Sequence, residues 1–215
     1  MAPNRVLVCG DRRLALADRT HVMGVVNVTP DSFSDGGRFL DPHDAYAHAM
    51  LLLDEGADVI DLGGESTRPG ATPISVDEEL QRLAPVVERL VAAGARCLSV
   101  DTSKPEVAAA VLELGASWIN DVTGFADARM VEATRRADAV VVMHQRPMRA
   151  GHVEDDVVYT DVVADVRDFL GTRVRMLVGD GVPADRIVVD PGLGFGKTVA
   201  DNLVLLRRAG ELADL

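Results

Sequence analysis

The chain has 215 residues, 47% of them hydrophobic and only 4% aromatic, with 22 basic against 34 acidic side chains for a formal net charge of −12. That length accommodates one sizeable domain packed from Val, Leu, Ala and Ile. The acidic balance excludes nucleic acid or an anionic membrane as the main partner, because either demands a basic face.

An anionic small molecule stays open, since backbone N–H groups, a metal and a few local cations can hold a diphosphate. No stretch approaches the roughly 18 apolar residues of a membrane span, and no signal-peptide core opens the chain. Cys9 and Cys97 lie far apart and lack metal-ligand spacing. The expectation is a cytoplasmic protein in a reducing setting.

Taken in order, Arg5–Cys9 and Leu14–Ala17 predict a β-hairpin turning at Gly10–Arg13, placed to cover one end of the strands after it. Strand and helix then alternate. Val22–Val28 reads as a strand, Asp44–Glu55 as a helix, Asp58–Leu62 as a strand and Ser75–Ala93 as a helix. Pro85 inside the last predicts a kink or break. Cys97–Val100 precedes a helix over Glu106–Leu114, with Pro105 suited to its first turn and Ser103 to its N-cap. Trp118–Ile119, Ala128–Arg136, Ala139–Met143, Val157–Val178, Ile187–Val189 and Leu203–Arg208 continue the rhythm, and Gln145–Tyr159 reads as a long loop. Such alternation predicts βαβ units and a parallel α/β sheet.

Six of the apolar runs end in a polar residue: Asn27, Asp61, Asp101, Asn120 with Asp121, His144 and Asp190. Parallel sheets put their ligand sites at the carboxyl ends of strands, so these ends predict one shared site. Asn27 offers an oxygen to a hard cation such as Mg²⁺, or else ties down a turn. Asp61-Leu-Gly-Gly-Glu-Ser-Thr67-Arg68-Pro-Gly is a glycine-rich exit in which Thr67 and Arg68 suit an anion; it lacks the Walker spacing. Asp101 either caps a helix or, with Asn120 and Asp190, reads the N–H edge of a heterocycle. Phe195 suits stacking on an aromatic ligand. Lys197 reads as an ordinary solvated loop lysine, and His144 is weak alone. The five histidines show no zinc spacing.

These segments resemble dihydropteroate synthase. The likeness is carried by Asn27-Val-Thr-Pro-Asp-Ser-Phe-Ser-Asp-Gly-Gly, Asp61-Leu-Gly-Gly-Glu-Ser-Thr-Arg-Pro-Gly, Ser99-Val-Asp-Thr, Ile119-Asn-Asp-Val, Met143-His144 and Asp190-Pro-Gly-Leu-Gly-Phe-Gly-Lys, in order along nearly the whole chain. The resemblance implies a (β/α)8 TIM barrel, of which about six βα units plus the hairpin are present. It also implies a transferase of folate biosynthesis, a sulfonamide target, that joins 6-hydroxymethyl-7,8-dihydropterin diphosphate to p-aminobenzoate and releases pyrophosphate. Carried over by motif, Asn27 holds Mg²⁺ with the diphosphate and Thr67 contacts the phosphates. Asp101, Asn120 and Asp190 bind the pterin, and Met143 lines its pocket. Phe33, Arg68, Pro69 and Phe195 surround p-aminobenzoate, with Asp101 and Arg68 implied as catalytic.

The family's later motifs, Ser-Arg-Lys and Arg-x-His, have no counterpart here. The expectation is therefore a C-terminally truncated synthase with impaired activity, the full-length protein being a homodimer. Two other readings stand beside it: the pterin-binding domain of a corrinoid-dependent methyltransferase, and a non-catalytic pterin-binding homologue. Phe33 and the Ser-Thr-Arg-Pro loop favour the synthase over the former.

Overall fold

The structure, a computed structural model, describes residues 5–29, 41–67, 71–145 and 159–215. An antiparallel hairpin comes first, β1 (Val6–Cys9) against β2 (Arg12–Ala15), closed by Gly10 and Asp11. Gly10 turns at φ +62°, and a β-carbon there would collide with the Arg96 carbonyl oxygen, so only glycine fits.

Six parallel strands come next: β3 (Met23–Asn27), β4 (Val59–Gly63), β5 (Leu98–Asp101), β6 (Trp118–Asp121), β7 (Ala139–Met143) and β8 (Ile187–Asp190). They neighbour one another in chain order, as in a wall that winds around a barrel axis. The helices between them are α1 (Pro42–Asp54), α2 (Val76–Ala92), α3 (Pro105–Glu113), α4 (Arg129–Ala133), α5 (Val162–Gly179) and, after β8, α6 (Val199–Arg207). The central strands β4 and β7 are buried at every position, while β8 is only half-buried and β3 alternates down to an exposed Val25. Among the described residues β3 and β8 are the two edges of this sheet.

Strand parity divides the core. Val26, Ile60, Leu62, Leu98, Val100, Ile119, Val140 and Val142 pack outward against the helices. The opposite parity starts apolar: Met23, Val59, Cys97, Trp118, Ala139 and Val141 join Leu7, Cys9 and Leu14 of the hairpin in a second cluster. The hairpin is thus the floor of the barrel interior. Trp118 Nε1 donates to the Val8 carbonyl at 2.7 Å and the Gly10 amide to Asp138 Oδ2 at 2.7 Å. Beside this floor Asp58 is buried and accepts from Arg19 and from the Val22 amide. The Arg19 guanidinium holds that carboxyl well below the usual range.

Several sequence expectations change. Cys9 and Cys97, 88 residues apart, meet on the floor as a disulfide, because the hairpin lies against the start of β5. The expected reducing setting predicts free thiols, and the structure pairs them instead. Helix α2 runs unbroken through Pro85. Lys104 and not Ser103 precedes α3, and its side chain makes no cap; Thr102 Oγ1 accepts from its amide and Pro105 removes the next donor. Helix α5 starts at Val162, where Asp161 caps it, and α4 is a single short turn-and-a-half.

Candidate active site

The interior parity that is apolar at the floor turns polar toward the strand ends. Position by position the switch is Val59 to Asp61, Cys97 to Ser99, Trp118 to Asn120 and Val188 to Asp190. Period-two alternation puts each pair on the same face of its strand. Register then aligns the ends: Asn27 sits opposite Gly63, Gly63 opposite Asp101, Asp101 opposite Asn120, and Met143 opposite Asp190. The expected convergence of Asn27, Asp101, Asn120, Met143 and Asp190 on one mouth is present.

Gly63 is the gap in that row. A β-carbon there would lie 3.2 Å from Asn27 Oδ1 and 4.0 Å from Asp101 Oδ2, so glycine lets an amide oxygen and a carboxylate oxygen face the same space. Deeper in, Asn120 Nδ2 donates to Asp61 Oδ2 at 3.1 Å. Burial pushes Asp61 up, outweighing the opposing pull of the neighbouring Ser99 and of the Asn120 hydrogen bond. Burial likewise pushes Asp101 well up, reinforced by Asp61, Asp121, Glu79 and Glu65. The mouth is therefore rich in acceptors that favour a partner bringing N–H groups or positive charge. Asp61 is visible in the sequence as a strand end but is not among the expected ligand residues; the signal for it is the interior parity it shares with Asp101 and Asn120.

The neighbour Asp121 has the other fate. Its parity turns it outward, where it accepts from the amides of Thr123 and Phe125 and from the Thr123 hydroxyl, fixing the β6–α4 turn. His144, also outward, lies edge-on to Phe169 of α5 with centroids 4.9 Å apart. Neither belongs to the mouth.

The exit after β8 is built on a lysine. Lys197 is 1% exposed, contrary to the solvated loop residue expected, and donates to the carbonyls of His144 (3.2 Å), Gly192 (2.7 Å) and Phe195 (3.1 Å). Burial lowers its pKa to about 8, against the pull of Asp190 and Asp201. Asp190 Oδ1 accepts from the Gly192 amide at 2.7 Å, and a β-carbon on Gly192 would strike the His144 carbonyl oxygen. The loop carrying half-buried Phe195 is thereby laced to the end of β7. After β4, Thr67 lines a cavity of about 180 Å³ together with Asp101, Ser66, Thr123 and Gln145. Phe33, Arg68 and Pro69 lie outside the described residues.

Residues 23–215 match the family described as pterin binding enzyme. The chain belongs to the pterin-binding enzyme family. Within that family it resembles a dihydropteroate synthase of Mycobacterium leprae, 47% identical over 193 residues, 89% of this chain and 68% of that one. It is 48% identical over 201 residues to a probable bifunctional folylpolyglutamate synthase/dihydropteroate synthase of Haloferax volcanii, covering 92% of this chain and 24% of that protein. The chain thus spans about a quarter of the bifunctional relative and about two thirds of the shorter one. The Xanthomonas albilineans dihydropteroate synthase solved with 4-aminobenzoic acid superposes with a TM-score of 0.88 at 48% identity, over 99% of this chain and 75% of that one. As a member of this family the chain has an α/β fold, with six parallel strands whose interior face ends in acceptors. No helix among the described residues is long and apolar enough to cross a membrane.

Proposed function

We propose that this chain carries the condensing site of a dihydropteroate synthase, which joins 6-hydroxymethyl-7,8-dihydropterin diphosphate to p-aminobenzoate, giving 7,8-dihydropteroate and pyrophosphate. The observation that carries the reading is the acceptor-lined mouth, where Asn27, Asp101, Asn120 and Asp190 share one rim and Asp61 sits beneath them. A pterin presents adjacent ring N–H donors, and paired carboxylate and amide acceptors at fixed height suit that edge. The 4-aminobenzoic acid complex of the Xanthomonas protein supports the second substrate.

In the reaction the bond between the pterin's methylene carbon and the diphosphate oxygen breaks, its electrons leaving with pyrophosphate. The amine nitrogen of p-aminobenzoate bonds to that carbon and then loses a proton. Positive charge develops on the pterin as the leaving group departs. Asp101, half-buried among other carboxylates, stabilises that charge at close range, in a site where electrostatic interactions are strong. Asn120 and Asp190 orient the ring, and Met143 supplies an apolar wall. Thr67 hydrogen-bonds phosphate oxygens; Arg68 supplies a cation to the same loop, and with Phe33, Pro69 and Phe195 shapes the aminobenzoate pocket.

A Mg²⁺ fits the donor chemistry. Asn27 Oδ1 and Asp101 Oδ2 both face the space that Gly63 leaves, and oxygen donors with room for waters suit that ion. Asn27 would hold it, and when bound it would draw charge from the departing diphosphate. A homodimeric full-length protein belongs to the same reading, as does cytoplasmic residence, with the Cys9–Cys97 disulfide an exception to the usual reduced state of cytosolic thiols.

The test is turnover by the complete polypeptide containing this chain, with both substrates and Mg²⁺ supplied and pyrophosphate and dihydropteroate quantified. Stoichiometric appearance of both is expected. Pterin binding without pyrophosphate release would favour the non-catalytic homologue, and a requirement for a methyl donor the methyltransferase domain.

A further inference from the structure

The loop root after β4 is held from outside the barrel by an arrangement that the reaction itself does not use. Lys104, directly before α3, pairs through Nζ with Glu65 Oε2 and Glu79 Oε2. Glu79 is 1% exposed on α2, so the lysine is a bridge from a buried carboxylate to the loop. One turn further along α2, Arg82 Nη1 donates to the Gly64 carbonyl at 2.8 Å. A β-carbon on Gly64 would lie 2.9 Å from Leu83 Cγ and 3.0 Å from Glu79 Cγ, which shows how closely α2 approaches the root. Lys104, Glu65 and Thr67 line the same cavity as Asp101. Asn27, Asn120 and Asp190 lie on other strands, whereas Asp101 shares the cavity with Glu65 and Lys104, so the strut acts first on the loop and secondarily on Asp101.

We propose that Lys104 is a positioning residue for the phosphate side of the site: clamped between Glu79 and Glu65, it fixes the Glu65–Thr67 segment at the height where Thr67 meets the diphosphate. This rests on the synthase reading for the identity of the ligand, though not for the strut itself. Ion pairs at an exposed surface contribute little. This one has a buried partner, and removing the lysine leaves Glu79 charged and uncompensated.

Lys104→Met alone is therefore expected to lower stability as well. Glu65→Gln, at the more exposed end of the bridge, and the double variant Glu79→Gln/Lys104→Met relieve that problem. The parent and these variants of the complete polypeptide are titrated by calorimetry with two probes: inorganic pyrophosphate with Mg²⁺, and 6-hydroxymethylpterin, which lacks the diphosphate. Amide hydrogen exchange is followed at residues 64–67. Pyrophosphate affinity is expected to fall about tenfold in both variants, as for one or two lost hydrogen bonds, with a clearly smaller change in 6-hydroxymethylpterin affinity. Exchange over 64–67 is expected to quicken, and Lys104→Arg to recover part of the loss. Equal loss for both probes, or unchanged affinity with unchanged exchange, overturns the assignment. A parent that binds neither probe overturns the synthase reading instead. The strut is then judged by exchange alone, quickening supporting it and no change refuting it.

Discussion

At the scale of single residues, the mouth is organised by what Gly63 lacks. Gly63→Ala brings a methyl to 3.2 Å from Asn27 Oδ1, tighter than most such contacts, without touching the helix-facing core. We expect an intact fold and turnover lowered by about tenfold to a hundredfold, comparable to misplacing a catalytic group by a fraction of an ångström to one ångström; parent-like kcat/KM would show that the row tolerates the shift. Asp101→Asn removes the carboxylate closest to the developing cation, and kcat should fall by at least about 100-fold, measured by pyrophosphate release.

The pH dependence carries a sign. In the proposed reaction Asp101 works ionised, and burial followed by Asp61 raises its pKa. The acid limb of kcat/KM in the free enzyme should therefore lie above the ordinary carboxylate range. Asp61→Asn removes a neighbouring negative charge and should shift that limb to lower pH; a limb that stays put would separate the two groups. The same raised values mean that folding retains protons the unfolded chain releases. The contribution of these groups to stability thus declines as pH rises from the usual carboxylate range through their raised pKa values.

At the scale of elements, each strand has a chemical gradient along one face. In β6, Trp118 is floor and Asn120 is mouth, while Asp121 between the strand and its helix is a turn fastener. The alternation was legible in the sequence once a face had been assigned, and it explains why two adjacent acceptors have separate duties. Lys197 was not legible, because its burial depends on three carbonyls contributed by two different strand exits. No local pattern encodes such a meeting. Lys197→Met leaves those carbonyls without their donor and should cost about 2–4 kcal/mol by chemical denaturation, with dihydropterin binding weakened through the displaced Asp190 loop. Ser103 misleads for a related reason: cap preference is local, but the first turn of α3 is governed by Pro105 and by Thr102.

At the scale of the molecule, the succession of βα units and the shared rim could be read from the chain, since both arise from short-range periodicity. The closing of the floor could not. It depends on pairs such as Val8 with Trp118 and Cys9 with Cys97, separated by 110 and 88 residues. A disulfide spanning a loop of that length stabilises by about 4–5 kcal/mol in the chain-entropy view, less where the reduced chain retains structure. Cys9→Ser/Cys97→Ser, or the parent under strong reductant, should melt about 5–15 °C lower. Differential scanning calorimetry decides it, and an unchanged melting temperature would remove the bond from the account.

The hairpin also sets a timetable. It precedes the partners that seat it, Cys97, Trp118 and Asp138, along the chain. The hairpin must wait, as a lid without a vessel, until Asp138 has cleared the ribosome. Nascent chains arrested before Cys97 should therefore leave Cys9 open to alkylation, and longer ones should protect it. In synthesis the base of this barrel is made ahead of the walls and seated only once most of them stand.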